Sequence, residues 1–448
     1  MKQVITKDNS PKAKDAFSQI PKTVGRILGK TLKELEEEGV FVFPASLRDA
    51  DDITGEQMVL FKDRDNFVSG NVMGFIGCED ERLVISSRFD NGQDYFLQYL
   101  IGKVMDLPNI VNLETDSNQE NELFNMLLFL FPAYLKKAIR NGLYKQYVRN
   151  YYNDANVSGT IEIARHIKSN TPFLGRVAYS KKEFSFDNYL MELIRHTVEF
   201  IQKRPYGENV LGGINDEVKQ IVASTPTYRQ QDRRRIIEEN KKNPLRHAFY
   251  REYLPLQQLC LMILQNRKHQ IGSGSQKIYG VLFDGAWLWE EYVFSLTKEF
   301  FYHPMNKAGR NAQYLFTNAE NRREGRIFPD FIGKNEENRI IADAKYKPSK
   351  NIGNKDYLQI LAYMLRFDGK NGVFLYPETS EAKSEVLRIN RGSSYHDNVG
   401  PRDELFVMKQ GFMVPERTED YVDFSEKMKI SEREFKDRLL ICLGSLYE

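Results

Sequence analysis

The fold of the C-terminal third is decided by two short apolar segments, Arg326-Ile327-Phe328-Pro329-Asp330-Phe331-Ile332 and Ile340-Ile341-Ala342-Asp343-Ala344-Lys345-Tyr346. The polar stretch 333–339 between them predicts a turn, and together they predict a β-hairpin. With the turn centred near 336 and 337, residues whose numbers sum to about 673 face each other, so Asp330 lies opposite Asp343. Side chains two apart on a strand share a face, so Lys345 projects beside Asp343.

This arrangement of charges predicts a metal site. Directly opposed carboxylates repel, and a protein tolerates the pair most easily if a cation lies between them. Mg²⁺ prefers carboxylate and water oxygens, with phosphate oxygens completing its shell, and Mn²⁺ is an alternative ion. Bound metal lowers the pKa of water and neutralises charge on a transferring phosphoryl group. Lys345 can then orient or help deprotonate the attacking water. The alternative is a surface hairpin with an ordinary Lys–Asp pair.

The spacing of an acidic residue and a lysine is a weak signal by itself, because the chain contains six such pairs. They are Glu217/Lys219, Glu239/Lys241, Asp343/Lys345, Asp368/Lys370, Glu381/Lys383 and Glu434/Lys436. Only the third pair closely follows an apolar strand pattern. We therefore predict that Asp343 and Lys345 carry the chemistry.

Two predicted helices flank the hairpin. The first begins with Trp287-Leu288-Trp289-Glu290-Glu291-Tyr292-Val293, and we expect Glu290 to reach the metal while Glu291 is solvated. The second contains Gln359 and Tyr363, which share a helix face because they are four residues apart. Both can hydrogen-bond to the site or to phosphate. The alternative is core packing for Tyr363 and a solvated Gln359.

The order of these motifs resembles that of the PD-(D/E)xK nuclease superfamily, including its RecB-like members. A helix with a glutamate is followed by Pro-Asp, a strand, Asp-x-Lys and a helix with Gln-x-x-x-Tyr. The resemblance implies a mixed central sheet flanked by helices. The candidate catalytic residues are Asp330, Asp343, Lys345, Glu290, Gln359 and Tyr363, and the candidate metal ligands are Asp330, Asp343 and Glu290.

Further segments resemble the McrC family. They are Leu282-Phe283-Asp284-Gly285 before Leu288-Trp289-Glu290-Glu291-Tyr292-Val293, Ile85-Ser86-Ser87-Arg88-Phe89-Asp90 followed by Asp94-Tyr95-Phe96-Leu97, Val157-Ser158-Gly159-Thr160-Ile161, and Asp187-Asn188. The resemblance covers roughly residues 40–365 and implies the endonuclease subunit of a McrBC modification-dependent restriction system. It also implies a partner, McrB, a hexameric AAA+ GTPase that recognises modified cytosine and translocates DNA. The N-terminal region of this chain would then dock on the hexamer and stimulate it, while the C-terminal domain cuts double-stranded DNA.

The N-terminal stretch Gly25-Arg26-Ile27-Leu28-Gly29-Lys30-Thr31 resembles a P-loop. It has three residues between its glycines, whereas the phosphate cradle needs four. We predict the start of a basic helix here, and we expect GTP to be used by the partner and not bound by this chain.

The segment pattern predicts a multidomain α+β chain. The predicted domains are a β-rich partner-docking domain over 1–110, a largely helical basic region over 111–275 and the nuclease domain over 276–448. We expect a loose polar arm over about the first 35 residues, a hairpin over 72–86 and a linker at 272–275. The sequence of the tail after residue 380 does not indicate a function.

The net charge of +2 does not exclude nucleic acid, because the charges are unevenly distributed. Residues 1–110 carry 14 positive and 18 negative groups, 111–275 carry 24 and 17, and 276–448 carry 26 and 27. In the basic middle, the residues that can follow a DNA backbone are Arg233, Arg234, Arg235, Lys241 and Lys242. The alternative is a solvated helix face.

The location is predicted from cysteines and apolar runs. Cys78, Cys260 and Cys442 lie far apart in sequence, which favours a reducing cytoplasm. No apolar leader is visible, and the longest apolar run, over 123–135, is too short to span a bilayer. We expect a cytoplasmic protein without a membrane partner. Two other functions stay open: a non-catalytic adaptor that binds DNA or regulates the AAA+ motor, and a stand-alone RecB-like nuclease that cuts without a GTPase.

Overall fold

The computed structural model of the chain describes residues 2–38, 40–43, 57–90, 93–104, 119–204, 207–265, 278–304, 313–380, 384–392 and 400–444. Its contacts divide the chain into two compact units. The first unit combines Met1–Ser117 with Ser273–Glu448, and the second is Asn118–Gly272. The first and third predicted domains thus belong to one unit, and the predicted linker at 272–275 lies outside the described residues.

Both kinds of secondary structure are abundant, which confirms the α+β class. The strands are β1 (Lys2–Lys7), β2 (Pro11–Ala13), β3 (Phe41–Phe43), β4 (Leu60–Asp63), β5 (Asn66–Ser69), β6 (Val72–Cys78), β7 (Glu81–Ser86), β8 (Gln146–Asp154), β9 (Thr160–Ile161), β10 (Val177–Ser185), β11 (Ile278–Asp284), β12 (Phe301–Tyr302), β13 (Gln313–Thr317), β14 (Arg323–Ile327), β15 (Phe331–Gly333), β16 (Ile340–Ala344), β17 (Asn371–Glu378), β18 (Ser384–Asn390) and β19 (Pro401–Met413). The α-helices are α1 (Pro21–Ile27), α2 (Leu32–Glu37), α3 (Tyr95–Val104), α4 (Gln119–Ile139), α5 (Ile163–Ser169), α6 (Tyr189–Gln202), α7 (Gly207–Leu211), α8 (Asn215–Ser224), α9 (Arg233–Lys242), α10 (Tyr253–Gln265), α11 (Gly285–Thr297), α12 (Asn354–Arg366) and α13 (Tyr421–Gly444).

The N-terminal part of the first unit is built on a sheet with the strand order β1-β7-β6-β11-β3. The predicted hairpin is confirmed, since β6 and β7 pair antiparallel with Gly74 opposite Ile85. The predicted loose arm is wrong. β1 pairs parallel with β7, and Val4, Phe17 and Ile20 are buried in the core, so the polar-looking start of the chain contributes apolar surface that has to be covered.

Strand β11 connects the first and third predicted domains within that sheet. It pairs antiparallel with β6 and parallel with β3. The close approach of β6 and β11 requires Gly74, whose φ is +126° and whose added Cβ would lie 2.1 Å from the Val281 carbonyl oxygen. The C-terminal segment is therefore anchored in the N-terminal sheet before its own sheet begins.

The P-loop-like stretch takes part in two short helices. Gly25 and Ile27 belong to α1, and Thr31 precedes α2 as its N-cap. Thr31 Oγ1 accepts a hydrogen bond from the Glu34 amide at 3.2 Å, and the Thr31 amide donates to Glu34 Oε2 at 2.8 Å. This reciprocal capping box explains why a threonine stands at the end of the stretch.

The C-terminal part of the first unit is built on a second sheet, ordered β12-β15-β16-β17-β19-β18 in the described part of the chain. The inner strands β16, β17 and β19 are parallel, and the outer pairs are antiparallel. Helix α12 buries Ile360, Tyr363 and Met364 in the core of this sheet. The tail after residue 380 supplies β18, β19 and α13, so it completes the fold.

The second unit is mainly helical, and its described residues include a small sheet ordered β8-β10-β9. Helices α6, α8 and α10 all lie in the stretch that the segment pattern predicts as largely helical. Helix α6 begins where the Asn188 side chain accepts hydrogen bonds from the amides of Leu190 and Met191, as an N-cap should.

Two features relevant to location can be checked in the described residues. There, no helix combines the length and the apolar composition needed to cross a membrane. Cys78 and Cys260 are buried free thiols. The Cys442 side chain lies outside the described residues.

Candidate active site

The hairpin of β15 and β16 has the predicted register. Phe331 lies opposite Ala342 and Ile332 opposite Ile341, so the next position along brings Asp330 to Asp343. Asp330 is held there because its Oδ2 accepts a hydrogen bond of 2.7 Å from the Ala344 amide. Two carboxylates therefore meet at the end of a short antiparallel pair, where the sequence placed them.

Burial makes this carboxylate pair electrostatically costly. Asp343 is 1% exposed. Burial and then repulsion from Asp343 raise the pKa of Asp330 to about 8. Burial also raises the pKa of Asp343, although Lys345 opposes the shift. Ionisation of both buried side chains is therefore unfavourable, and a divalent cation bound between them would remove that electrostatic penalty.

Lys345 is the positive group of the site. Its Nζ lies 2.6 Å from Asp343 Oδ2 and 3.7 Å from Asp356 Oδ1. Burial alone would lower the pKa of Lys345, but Asp343 and Asp330 outweigh it and raise that pKa. Lys345 is consequently an ammonium group at neutral pH, suited to holding water or phosphate rather than accepting a proton.

Gln359 and Tyr363 join the site as the helical spacing predicted. Lys345 Nζ donates to Gln359 Oε1 at 3.1 Å, and Gln359 Nε2 donates to the Tyr363 hydroxyl at 2.7 Å. Tyr363 in turn donates to the Phe328 carbonyl at 3.1 Å. This chain of hydrogen bonds fixes the lysine relative to the segment that precedes Asp330.

Asp356 was missed as a member of the site. Although burial opposes the effect, hydrogen bonds from Lys347 and the Gly353 amide hold the pKa of Asp356 below its ordinary value. Its carboxylate lies 2.7 Å from Lys347 Nζ and also faces Lys345. The signal available was its place one turn before Gln359 on the same helix.

Glu290 is linked to the site by His303, which is a second residue that the sequence did not reveal. His303 Nδ1 donates to the Asp330 carbonyl at 2.9 Å and lies 3.6 Å from Glu290 Oε1. Its Nε2 lies 3.8 Å from Glu291 Oε1. Burial opposes protonation of His303, but Glu291 outweighs it and the pKa is raised. Both glutamates therefore face His303, and Glu291, which was expected to be solvated, lies against this ring as well.

Tyr346, the residue after Lys345, is bound by the N-terminal sheet. Its hydroxyl lies 2.7 Å from Ser87 Oγ, and the Arg88 guanidinium lies 5.0 Å from the centre of its ring. Arg88 Nε donates to Oδ2 of the fully buried Asp8 at 3.0 Å. The segment that follows β16 is thus anchored to Ser87 and Arg88, which belong to one of the McrC-like segments of the sequence.

The donor set fits a magnesium-type ion with few protein ligands. Asp343 Oδ1 accepts no hydrogen bond from the residues that the structure describes. Mg²⁺ commonly uses one or two carboxylates and completes its shell with water and phosphate oxygens. Among the same residues, no group of three or more His, Cys, Asp or Glu side chains is arranged to hold a metal. Glu290 as a third ligand stays a prediction.

The predicted DNA-binding residues lie on α9 in the second unit. Three of them make contacts of their own, Arg233 with the Leu264 carbonyl at 3.1 Å, Arg235 with Asp232 at 3.0 Å and Lys241 with Glu238 at 3.2 Å. Arg234 and Lys242 are exposed. The helix therefore presents cations to solvent, and their role in DNA binding stays a prediction.

Fold and site together define a multidomain α+β protein with a buried carboxylate pair and a lysine at the edge of a mixed sheet. The chain belongs to the family described as McrBC 5-methylcytosine restriction system component, whose model matches residues 68–377. The predicted relationship is thereby confirmed. No curated protein matches the sequence.

Two solved structures from Thermococcus gammatolerans are similar to the chain. One is a half-complex from a tetradecameric assembly of McrB AAA+ hexamers with bound McrC, with 14% identity, a TM-score of 0.47, and coverage of 96% of this chain and 99% of that chain. The other is a cryo-EM structure of the McrBC complex, with 14% identity, a TM-score of 0.32, and coverage of 66% and 87%.

Proposed function

We propose that this chain is the McrC-type subunit of a McrBC restriction system and a metal-dependent DNA endonuclease of the PD-(D/E)xK type. The observation that carries the proposal is the buried meeting of Asp330, Asp343 and Lys345, in a chain of the McrBC family. The strand order around β16 and the flanking helices α11 and α12 are consistent with a mixed sheet of that superfamily.

Each residue has a physical task in this proposal. Asp330 and Asp343 would hold Mg²⁺ or Mn²⁺, with Glu290 as the third candidate ligand. When bound, the ion supplies a lowered water pKa and neutralises charge that develops on the phosphate. Lys345, kept protonated by its carboxylate neighbours, orients the attacking water and offsets phosphate charge. Gln359 limits the motion of the Lys345 ammonium by accepting its hydrogen bond.

The remaining residues keep this geometry in place. Tyr363 positions Gln359, and His303 fixes the Asp330 backbone and faces Glu290. Burial raises the pKa of Tyr363 to about 12, so its hydroxyl keeps its proton and remains a hydrogen-bond donor to the Phe328 carbonyl. Preorganised groups of this kind stabilise charge without reorganising during the reaction.

The proposed partners follow from the family. The chain would act in the cytoplasm with a McrB-like hexameric AAA+ GTPase that uses GTP, and would cut double-stranded DNA containing 5-methylcytosine. The N-terminal domain would dock on the hexamer and stimulate it. The anchoring of Tyr346 by Ser87 supports a physical connection between that domain and the catalytic strand.

The test is DNA cleavage by the full chain, with and without the partner GTPase and Mg²⁺. Asp343→Asn removes one carboxylate charge with little change in volume, and should abolish cleavage while GTPase stimulation remains. Glu434→Gln is the matched control, because Glu434 belongs to another acidic-x-lysine pair and is exposed on α13; it should cut normally.

Three results contradict parts of the proposal. Undiminished cutting by Asp343→Asn removes the site assignment. Failure of the unmodified chain to cut methylated DNA under any partner condition favours a non-catalytic adaptor. Cutting that needs no GTPase favours a stand-alone nuclease.

A further inference from the structure

The small sheet of the second unit presents aromatic and basic side chains on one face. Residues of β8 alternate in exposure, and Tyr147, Arg149 and Tyr151 lie on its exposed side. In the antiparallel register, Phe184 and Lys182 of β10 lie directly opposite Tyr147 and Arg149. Because directly opposed residues share a face, these five side chains form one surface, here called the aromatic–basic face.

The three rings of this face are left largely in water. Tyr147 is 73% exposed, Tyr151 60% and Phe184 56%. The rings of Tyr147 and Phe184 lie 5.1 Å apart, as a cross-strand aromatic pair. Single exposed apolar residues are normal on a protein surface, but a cluster of exposed rings indicates a surface used for binding.

The cations of this face are placed where the fold alone does not favour them. Arg149 and Lys182 face each other directly, and like charges in that position destabilise a sheet. Neither forms an ion pair with a carboxylate in the described parts of the chain. By contrast Lys181, on the other side of the same strand, pairs with Glu183 at 3.3 Å. An anion between Arg149 and Lys182 would remove the repulsion.

Two further cations border the rings. Lys145 Nζ lies 5.7 Å from the centre of the Phe184 ring, and the Arg165 guanidinium lies 5.2 Å from that of Tyr151. Arg165 is held in place by donating to the Tyr152 and Tyr179 carbonyls at 2.7 and 2.6 Å. The face therefore combines rings with positive charge, which matches a ligand that has both flat apolar groups and regularly spaced anions.

We propose that the aromatic–basic face binds DNA, with phosphates on Arg149 and Lys182 and unpaired bases stacked on Tyr147, Tyr151 and Phe184. The inference rests on the proposed function, which makes DNA the substrate. Stacking on a side chain needs a base with a free face, so the ligand is single-stranded or locally opened DNA. An acidic protein surface would satisfy the cations but would leave the three rings without a specific role.

The experiment measures binding of a fluorescent thymidine oligonucleotide, and of a matched duplex, to the full chain in EDTA. Binding is thereby separated from cleavage. The variants are Tyr147→Ala and the double variant Arg149→Ala/Lys182→Ala, and Lys181→Ala is the matched control. Thermal melting of each variant checks folding, and the double variant should melt no lower than the unmodified chain because it removes a repulsion.

The two kinds of variant should differ in their dependence on salt. The double variant should reduce the slope of log affinity against log salt by about 1.4, since each phosphate contact on a single strand contributes about 0.7. Tyr147→Ala should weaken binding of the single strand roughly 5- to 150-fold with little change in slope, and should affect the duplex much less. Lys181→Ala should keep most of the affinity.

Two results would overturn the inference. One is equal affinity and equal salt slope for the double variant and Lys181→Ala. The other is normal DNA binding by the double variant together with loss of its association with the AAA+ partner, which would make the face a protein-docking surface. If the unmodified chain binds DNA through this face but does not cut it in Mg²⁺, the proposed nuclease activity fails while the binding inference stands. The two failures are therefore distinguishable.

Discussion

Asp330→Asn should stabilise the metal-free protein while it removes the candidate metal site. Asp330 is buried against Asp343, and both the burial and the neighbouring carboxylate disfavour the ionised form of Asp330. Asparagine keeps the volume and can still accept the hydrogen bond from the Ala344 amide. Sites that hold charge for a ligand commonly reduce stability when the ligand is absent, and replacing the charged group reverses that loss.

The size of the effect follows from the pKa. The pKa of Asp330 is raised from 3.8 to about 8, so the folded state retains the proton that the unfolded chain releases. Stability of the unmodified protein therefore falls as pH rises from about 4 to 8, by about 4 kcal/mol at pH 7. The new amide N–H group without a partner offsets about 2 kcal/mol of this gain. We expect a net stabilisation of about 2 kcal/mol.

The assay is denaturant unfolding in EDTA at pH 5 and pH 8, repeated with Mg²⁺. The advantage of Asp330→Asn should be larger at pH 8, and Mg²⁺ should stabilise the unmodified protein but not the variant. Asp356→Asn is the control with the opposite sign, because the pKa of Asp356 is lowered by its lysine neighbours and its neutralisation should destabilise. A less stable Asp330→Asn at pH 8, or an equal Mg²⁺ effect on both proteins, would refute the reasoning.

Three further outcomes are expected. Arg88→Ala should cost about 3–5 kcal/mol in denaturant unfolding, since it leaves the fully buried Asp8 uncompensated, and adding Asp8→Asn should recover part of the loss; full additivity would contradict this. Burial lowers the pKa of His196 to about 4, so stability should fall by about 3 kcal/mol as pH falls from 6.5 to 4, and a His196→Asn protein should lack that slope in pH-dependent melts. Gly74→Ala should prevent the pairing of β6 with β11, because its Cβ would meet the Val281 carbonyl oxygen at 2.1 Å; a folded variant with unchanged melting would show the argument to be wrong.

The local parts of the site were accessible from sequence. A polar turn between two apolar segments fixed the register that brings Asp330 to Asp343. Helical spacing alone placed Gln359 beside Tyr363. Each of these depends on contacts within one hairpin or one helix, where periodicity determines which side chains meet.

The long-range parts were not accessible in this way. The parallel pairing of β1 with β7 and the insertion of β11 beside β6 join segments that are distant in sequence, and no local pattern specifies such partners. The contact of Tyr346 with Ser87 and the position of His303 beside Asp330 depend on those pairings or on tertiary packing. Strand β19 has an exposed first part and a continuously buried second part, and nothing in its sequence identifies its parallel neighbour β17.

The measurement that tests the central claim most directly is binding of Mn²⁺ to the full chain, followed by electron paramagnetic resonance. The account predicts that the unmodified protein binds the ion and that Asp343→Asn weakens this binding at least about tenfold, as loss of a metal-supporting group does. Glu434→Gln should bind Mn²⁺ as the unmodified protein does. Equal binding of Mn²⁺ by the unmodified protein and Asp343→Asn would contradict the assignment of the carboxylate pair as the metal site.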